Sequence, residues 1–208
     1  LALADEIAQA CHGPGFNVQY GPTGVQWCSP ELLLLIAEAS ARNGRQIHMH
    51  LLETRYQREW ADHAFPDGIV AYLRDIGLLG PRLTLAHCTY CRPEELELIA
   101  ASGATIVVNT SSNLGLRSGI APVATMLEHG CKVAMGLDGL ALDEDDDALR
   151  ELRLLYHLHK GWGYETVVSA AHAWQIACRH GRYAVSGVTD NGGIAAGGLA
   201  DLLILDGN

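Results

Sequence analysis

The sequence predicts an α/β fold with a parallel, barrel-type sheet, and three observations carry that reading. Strand-length apolar runs alternate with helical patterns along most of the chain. Four of these runs lead to a polar residue able to bind or react: the run at 46–51 holds His48 and His50 and leads to Glu53, that at 82–86 stops on His87, that at 104–108 on Asn109, and that at 132–137 on Asp138. Polar residues gathered at the C-terminal ends of successive strands mark the active-site face of a parallel barrel, whose sheet buries nearly everything else.

Taken in order, residues 2–11 are helical in pattern, and 16–20 read as a short strand broken by Gly21-Pro22-Thr23-Gly24. Ser29 before Pro30 and Glu31 is a helix start, hydroxyl cap first and proline in the first turn, and Leu32, Leu35, Ile36 and Ala39 recur at helical spacing until Asn43-Gly44. The His48/His50 strand follows, then helices at 55–63 and 67–76, the strand at 82–86, and a helix from Pro93 to Gly103. After the strand at 104–108, Asn109-Thr110-Ser111-Ser112-Asn113 reads as a polar loop. Residues 120–129 form a short helix before the last barrel strand. The acidic run 143–147 suits a helix N-terminus, where carboxylates complement the helix dipole, and helices are expected at 148–159 and 165–184. Glycine-rich 192–198 then turns into an apolar run, 199–206, outside the βα rhythm. The expected domains are a partial barrel over 1–187 and the start of a second, smaller sheet over 188–208. Five barrel strands fall short of the eight, in roughly 250 residues, that close such a barrel.

Composition narrows the function. With 208 residues and 49% hydrophobic content the chain can bury a core. A net charge of −10 without Lys/Arg clusters argues against nucleic acid and against an anionic membrane as partners, leaving a small-molecule substrate. No apolar run approaches the roughly 20 residues that span a bilayer, and Leu1-Ala2-Leu3-Ala4-Asp5-Glu6 lacks the basic start of a signal peptide, so the expected location is cytoplasmic. Six scattered cysteines are expected reduced and mostly buried, with Cys88-x-x-Cys91 read as structural because no second pair matches it.

His48 and His50 lie two apart and share a strand face, with Glu53 just past the strand end. Two packed, hydrogen-bonded histidines are the plain alternative for such a pair. The ordered motifs weigh against it. His50-Leu51-Leu52-Glu53, Leu85-Ala86-His87-Cys88, Asn109 to Leu114 with Ser118-Gly119-Ile120-Ala121-Pro122, Gly136-Leu137-Asp138-Gly139 and Gly198-Leu199-Ala200-Asp201-Leu202 together resemble the amidohydrolase superfamily, in its cytosine/guanine deaminase and chlorohydrolase branch. The resemblance runs from about Val18 to the last residue and is to the C-terminal portion of such enzymes. It implies a metal-dependent-hydrolase (β/α)8 TIM barrel, here lacking its first strands, with a small β-sandwich beginning at the C-terminus. It also implies one divalent metal, Zn²⁺ or Fe²⁺, with two further ligands from a strand-one His-x-His absent from this chain.

Carried over by residue, His50 and Asp138 are metal ligands, and Glu53, His87 and Asp138 are catalytic: Glu53 as proton shuttle, His87 holding the attacking water or substrate, Asp138 as base. Leu137 stands where the family often has Thr, and Thr110 where it often has Pro. Gln26, Trp27, His48, Asn109 and Asn113 are candidate substrate contacts, although a tryptophan is more often packing than a platform. The expected activity is hydrolytic deamination of a nucleobase-like or s-triazine-like heterocycle by a metal-activated water. The alternatives are a cyclic-amide or carbamate hydrolase, which usually needs a strand-four lysine that 16–20 lacks, and a non-catalytic relative without metal. A homodimer is the candidate assembly.

Overall fold

The computed structural model describes residues 1–11, 16–139, 146–164, 166–188, 193–198, 200 and 202–204. Four strands, β1 (Ile47–Leu51), β2 (Leu83–His87), β3 (Thr105–Val108) and β4 (Lys132–Met135), form one parallel sheet in sequential order. Parallel neighbours need a crossover, and each is a helix or helix pair. Helices α3 (Arg55–Ala64) and α4 (Ile69–Asp75) join β1 to β2, α5 (Pro93–Ser102) joins β2 to β3, and α6 (Thr110–Gly115) and α7 (Val123–Glu128) join β3 to β4. Ahead of the sheet lie α1 (Ala2–Ala10) and α2 (Pro30–Asn43), and after it α8 (Ala148–His159), α9 (Ala170–Trp174), a π-helical stretch (Gln175–His180) and α10 (Gly181–Ser186). This is a sector of a (β/α) barrel.

Alternation divides each strand between two environments. Ile47, Met49, Leu51, Leu83, Leu85, Ile106, Val108 and Val133 are buried in one apolar core with Leu33, Ile36, Ile69, Leu73, Leu96, Ile99, Val123 and Met126 from the helices. The opposite face is the barrel interior, where register aligns His50, Ala86, Val107 and Ala134 in one row and His48 with Thr84 and Thr105 in the row below. That face lines an open cavity of about 510 Å³, which Gly181, Ala184 and Val185 of α10 floor at its far end.

Local signals explain most boundaries. Ser29 caps α2 by accepting from Leu32 N at 3.2 Å, and Gly44 (φ 74°) ends it. Thr54 caps α3 through Gln57 N. In α5 the Glu95 carboxylate reaches back to Arg92 N at 2.8 Å and also takes Arg58 from α3 at 2.8–2.9 Å, so one buried carboxylate ties two helices together.

Several expectations are corrected. Residues 16–20 do not form a regular strand: the segment runs beside β1 but pairs only through Tyr20 N to Gln46 O, His48 N to Tyr20 O and His50 N to Thr23 O. Pro22, without an N–H, interrupts any ladder, and the Asn17 and Gln19 amides instead donate to the Val185 carbonyl on α10. The expected polar loop 109–113 is mostly the first turn of α6. The long helix 165–184 is divided into α9, the π-helical stretch and α10. Of the acidic run, Asp147 caps α8 through Leu149 N and Arg150 N. Residues 143–145 lie outside the described residues. So does half of the expected final strand, of which Leu202, Leu203 and Ile204 are exposed and outside any regular element. Among the described cysteines all are free; Cys88 and Cys131 are buried, whereas Cys11 and Cys178 are exposed, contrary to a mostly buried set. A hydrogen bond with Cys88, followed by burial, pushes the Cys91 thiol up, and burial pushes Cys131 up to about 11. No described helix is long and apolar enough to cross a membrane.

Candidate active site at the C-terminal end of the sheet

Four non-glycine residues at or just beyond the strand ends have left-handed backbone: Leu52 (φ 49°), His87 (φ 73°), Cys88 (φ 49°) and Asp138 (φ 66°). L-residues visit this region at a cost, and such strain collects at functional sites. At His87 the consequence is visible. Alternation from Leu83 and Leu85 would point residue 87 into the helix-packed core, yet its ring stacks on that of His50, an interior residue, with centroids 5.5 Å apart and planes 15° from parallel. The backbone turn at φ 73° carries the imidazole to the interior side.

His87 is fully buried. Its Nδ1 lies 2.8 Å from Asn113 Oδ1, and the Asn113 amide nitrogen donates to Thr89 Oγ1 at 3.0 Å. With Asn113 oriented that way, Nδ1 carries the proton and Nε2 presents its lone pair. That Nε2 is buried without a hydrogen-bond partner and lies 4.0 Å from Glu53 Oε2 and 3.9 Å from Asp138 Oδ2. The Nε2 lone pair and the two carboxylates are three acceptors facing one another, an arrangement that a cation among them would satisfy.

Each carboxylate is held by a hydroxyl. Ser118 Oγ donates to Glu53 Oε1 at 2.9 Å, and Ser112 Oγ donates to Asp138 Oδ2 at 2.6 Å. His50 Nδ1 donates to the Thr23 carbonyl at 2.6 Å, which leaves Nε2 as its free donor atom. This pattern, a ring N–H on a carbonyl and the other nitrogen open, is the usual support of a metal-binding histidine. Among the described residues no three His, Cys, Asp or Glu side chains stand close enough to hold a metal by themselves. The donors fit one part of a site.

Of the residues singled out in the sequence, His50, Glu53, His87, Asn113 and Asp138 are brought together. Asn109 lies on the cavity wall, buried, against Gly136, where an added Cβ would meet the Asn109 amide and come within 2.9 Å of Val107 Cγ1. His48 stays one row deeper, its Nδ1 donating to Thr84 Oγ1 at 2.6 Å while the Thr84 hydroxyl donates to Ile47 O. Although its side chain reaches solvent, desolvation by the surrounding protein lowers the His48 pKa, with His50 and His87 adding to the effect and Asp138 opposing it. Trp27 is 59% exposed and meets the His50 ring edge-on at 6.3 Å, and Gln26 beside it holds a buried amide nitrogen without a partner. Sequence reasoning missed Thr23, Thr89, Ser112, Ser118 and Glu151 as supports. Ser112 and Ser118 stood inside quoted motifs, whereas nothing around Glu151 in the sequence points across the fold.

Comparison with known proteins agrees with this architecture. The chain is 35% identical over 191 residues to the 5′-deoxyadenosine deaminase of Methanosarcina barkeri, covering 91% of the chain and 44% of the relative. It is 35% identical over 210 residues to the 5-methylthioadenosine/S-adenosylhomocysteine deaminase of Moorella thermoacetica, covering 99% and 49%. An adenosine deaminase from Xanthomonas campestris, solved with bound zinc, superposes with a TM-score of 0.82 at 25% identity over 88% of the chain and 42% of that protein. The guanine deaminase of E. coli shares the fold with a TM-score of 0.74 over 87% and 42%. The chain thus spans about half the length of the relatives it matches. The model of the amidohydrolase family matches residues 1–208, and the chain belongs to that family.

Proposed function

We propose that this chain supplies the C-terminal catalytic half of a mononuclear, metal-dependent deaminase acting on an aminopurine nucleoside. The observation that carries the reading is the partnerless, buried Nε2 of His87 set between Glu53 and Asp138 at 4.0 and 3.9 Å. The substrate class is supported by the relatives named for 5′-deoxyadenosine and 5-methylthioadenosine deamination.

His50, through Nε2, and Asp138 would hold a divalent metal together with ligands from strands outside this chain. A set of imidazole and carboxylate donors suits Zn²⁺ or Fe²⁺, and the metal when bound supplies Lewis acidity that brings the pKa of water to about 7. The chain's own groups do the rest. Asp138, oriented by the Ser112 hydroxyl, accepts a proton from the attacking water. Glu53, anchored through Oε1 by Ser118, has Oε2 free to pass a proton to the ring nitrogen beside the amino-bearing carbon. His87, with Nδ1 donating to Asn113 Oδ1, aims the Nε2 lone pair at the attacking water and orients it by accepting an O–H. The proton taken by Asp138 then passes to the amino group as the C–N bond breaks and ammonia leaves, while the added hydroxyl returns its proton to Glu53 and the carbon keeps the oxygen as a carbonyl. Trp27, beside His50 at the mouth, is a candidate contact for the purine.

The test is conversion of adenosine-type nucleosides by the zinc-loaded protein carrying the complete barrel, followed by ammonia release and the shift of purine absorbance. One ammonia per product supports the reading. Turnover of cyclic amides or carbamates with none of aminopurines overturns it.

A further inference from the structure

Glu151 touches none of the reacting groups, yet its contacts lead to two of them. It occupies the fourth position of α8 and is only 2% exposed. Its Oε1 accepts the backbone N–H of Thr110 at 2.7 Å and of Ser111 at 3.1 Å. These are the first two residues of α6, whose N–H groups have no partner within the helix, and Asn109 makes no side-chain capping bond of its own. The carboxylate therefore does from another element what a capping side chain does locally, and it meets the positive end of the helix.

The next two residues of α6 are Ser112, which donates to Asp138 at 2.6 Å, and Asn113, which accepts from His87 at 2.8 Å. A six-residue helix has too few internal hydrogen bonds to hold its own shape, so the anchoring of its first turn fixes where the following side chains stand. We propose that Glu151 is a positioning residue: by pinning the N-terminus of α6 it sets Ser112 on Asp138 and Asn113 on His87, and so aligns both groups at once. The catalytic consequence rests on the deaminase reading above, whereas the linkage is a property of this chain alone.

The experiment separates the two. In the chain labelled with ¹⁵N-histidine, the His87 Nδ1–H bonded to Asn113 gives a downfield imidazole resonance, assigned by its loss in His87→Gln and in Asn113→Ala. Glu151→Met keeps the side-chain volume and deletes the acceptor, and it should move or abolish that resonance. Glu151→Gln keeps an acceptor oxygen and should retain it. Should Glu151→Met not fold, Thr110→Pro deletes one of the two donors at a first-turn position that tolerates proline, and it should shift the same signal. An unchanged His87 signal in a folded Glu151→Met or Thr110→Pro variant, or equal loss in Glu151→Gln, overturns the proposal.

In the protein with the complete barrel, Glu151→Met should lower kcat by about ten-fold or more with little change in KM, and adding Ser112→Ala should cost less than the two effects combined, as for residues acting in one chain of contacts. Fully additive effects overturn the linkage. A moved resonance with unchanged turnover upholds the linkage and overturns its catalytic consequence, whereas no aminopurine turnover in the parent protein overturns the deaminase reading instead.

Discussion

Replacing Glu53 by Gln isolates proton delivery from everything else that the residue does. The Gln carbonyl oxygen can still accept from Ser118 at the 2.9 Å position of Oε1, and the backbone N–H of residue 53 still donates to Gln57 Oε1 at 2.8 Å. Folding stability should therefore change by less than about 1 kcal/mol, the ordinary net worth of one hydrogen bond. The amide cannot give up a proton at Oε2, the oxygen 4.0 Å from His87 Nε2. General acid–base assistance is worth about 10²–10⁴-fold, which at 1.36 kcal/mol per decade raises the barrier by roughly 3–5 kcal/mol. Steady-state kinetics on the metal-loaded protein with the complete barrel, paired with metal analysis and thermal melts, should show kcat lowered by that range with metal content and Tm retained. Near-full turnover, or loss of metal, would refute the assignment of Glu53 as shuttle rather than ligand.

Other predictions follow from contacts that the chain makes by itself. Glu95→Ala strips the buried carboxylate from Arg58, whose side chain is 10% exposed and keeps only Asp62 at 2.6 Å, and should cost about 1–3 kcal/mol of unfolding free energy by denaturant titration; no measurable loss would show that Asp62 and solvent compensate the charge. Gly136→Ala places a Cβ 2.9 Å from Val107 Cγ1 and against the Asn109 amide, so it should cost about 1–3 kcal/mol and swing Asn109, read as a displaced Asn109 in a crystal structure of the variant. At pH 8, iodoacetamide should label the exposed Cys11 and Cys178 rapidly and leave Cys131, buried with its pKa raised to about 11, with a thiolate fraction of about one in a thousand; peptide mapping reads the order.

What the sequence disclosed and what it hid divide along physical lines. Strand positions, and the polar residue ending each strand, are legible because a parallel sheet is built from near-continuous apolar runs, so that a reactive side chain at a run's end stands out. His50, Glu53, His87 and Asp138 followed from that pattern and from the motif order. The 16–20 segment misled because its apolar alternation is real, while its pairing was decided by Pro22 and by amides reaching α10. The loop at 109–113 misled because all five of its residues, two Asn, two Ser and a Thr, are poor helix formers, and a cap supplied from α8, forty residues away in sequence, overrides local propensity. The flipped direction of His87 was equally invisible, since it depends on one left-handed φ that alternation cannot foresee.

The proposed function stands on His50 and Asp138 sharing a single metal beside Glu53 and His87. Anomalous diffraction at the zinc edge, on crystals of the zinc-loaded protein with the complete barrel, tests it most directly. One peak per active site, bonded to His50 Nε2 and an Asp138 carboxylate oxygen and not to Glu53, is the predicted result. Two peaks about 3.5–4 Å apart, or a single peak that leaves His50 and Asp138 uncoordinated, would contradict it.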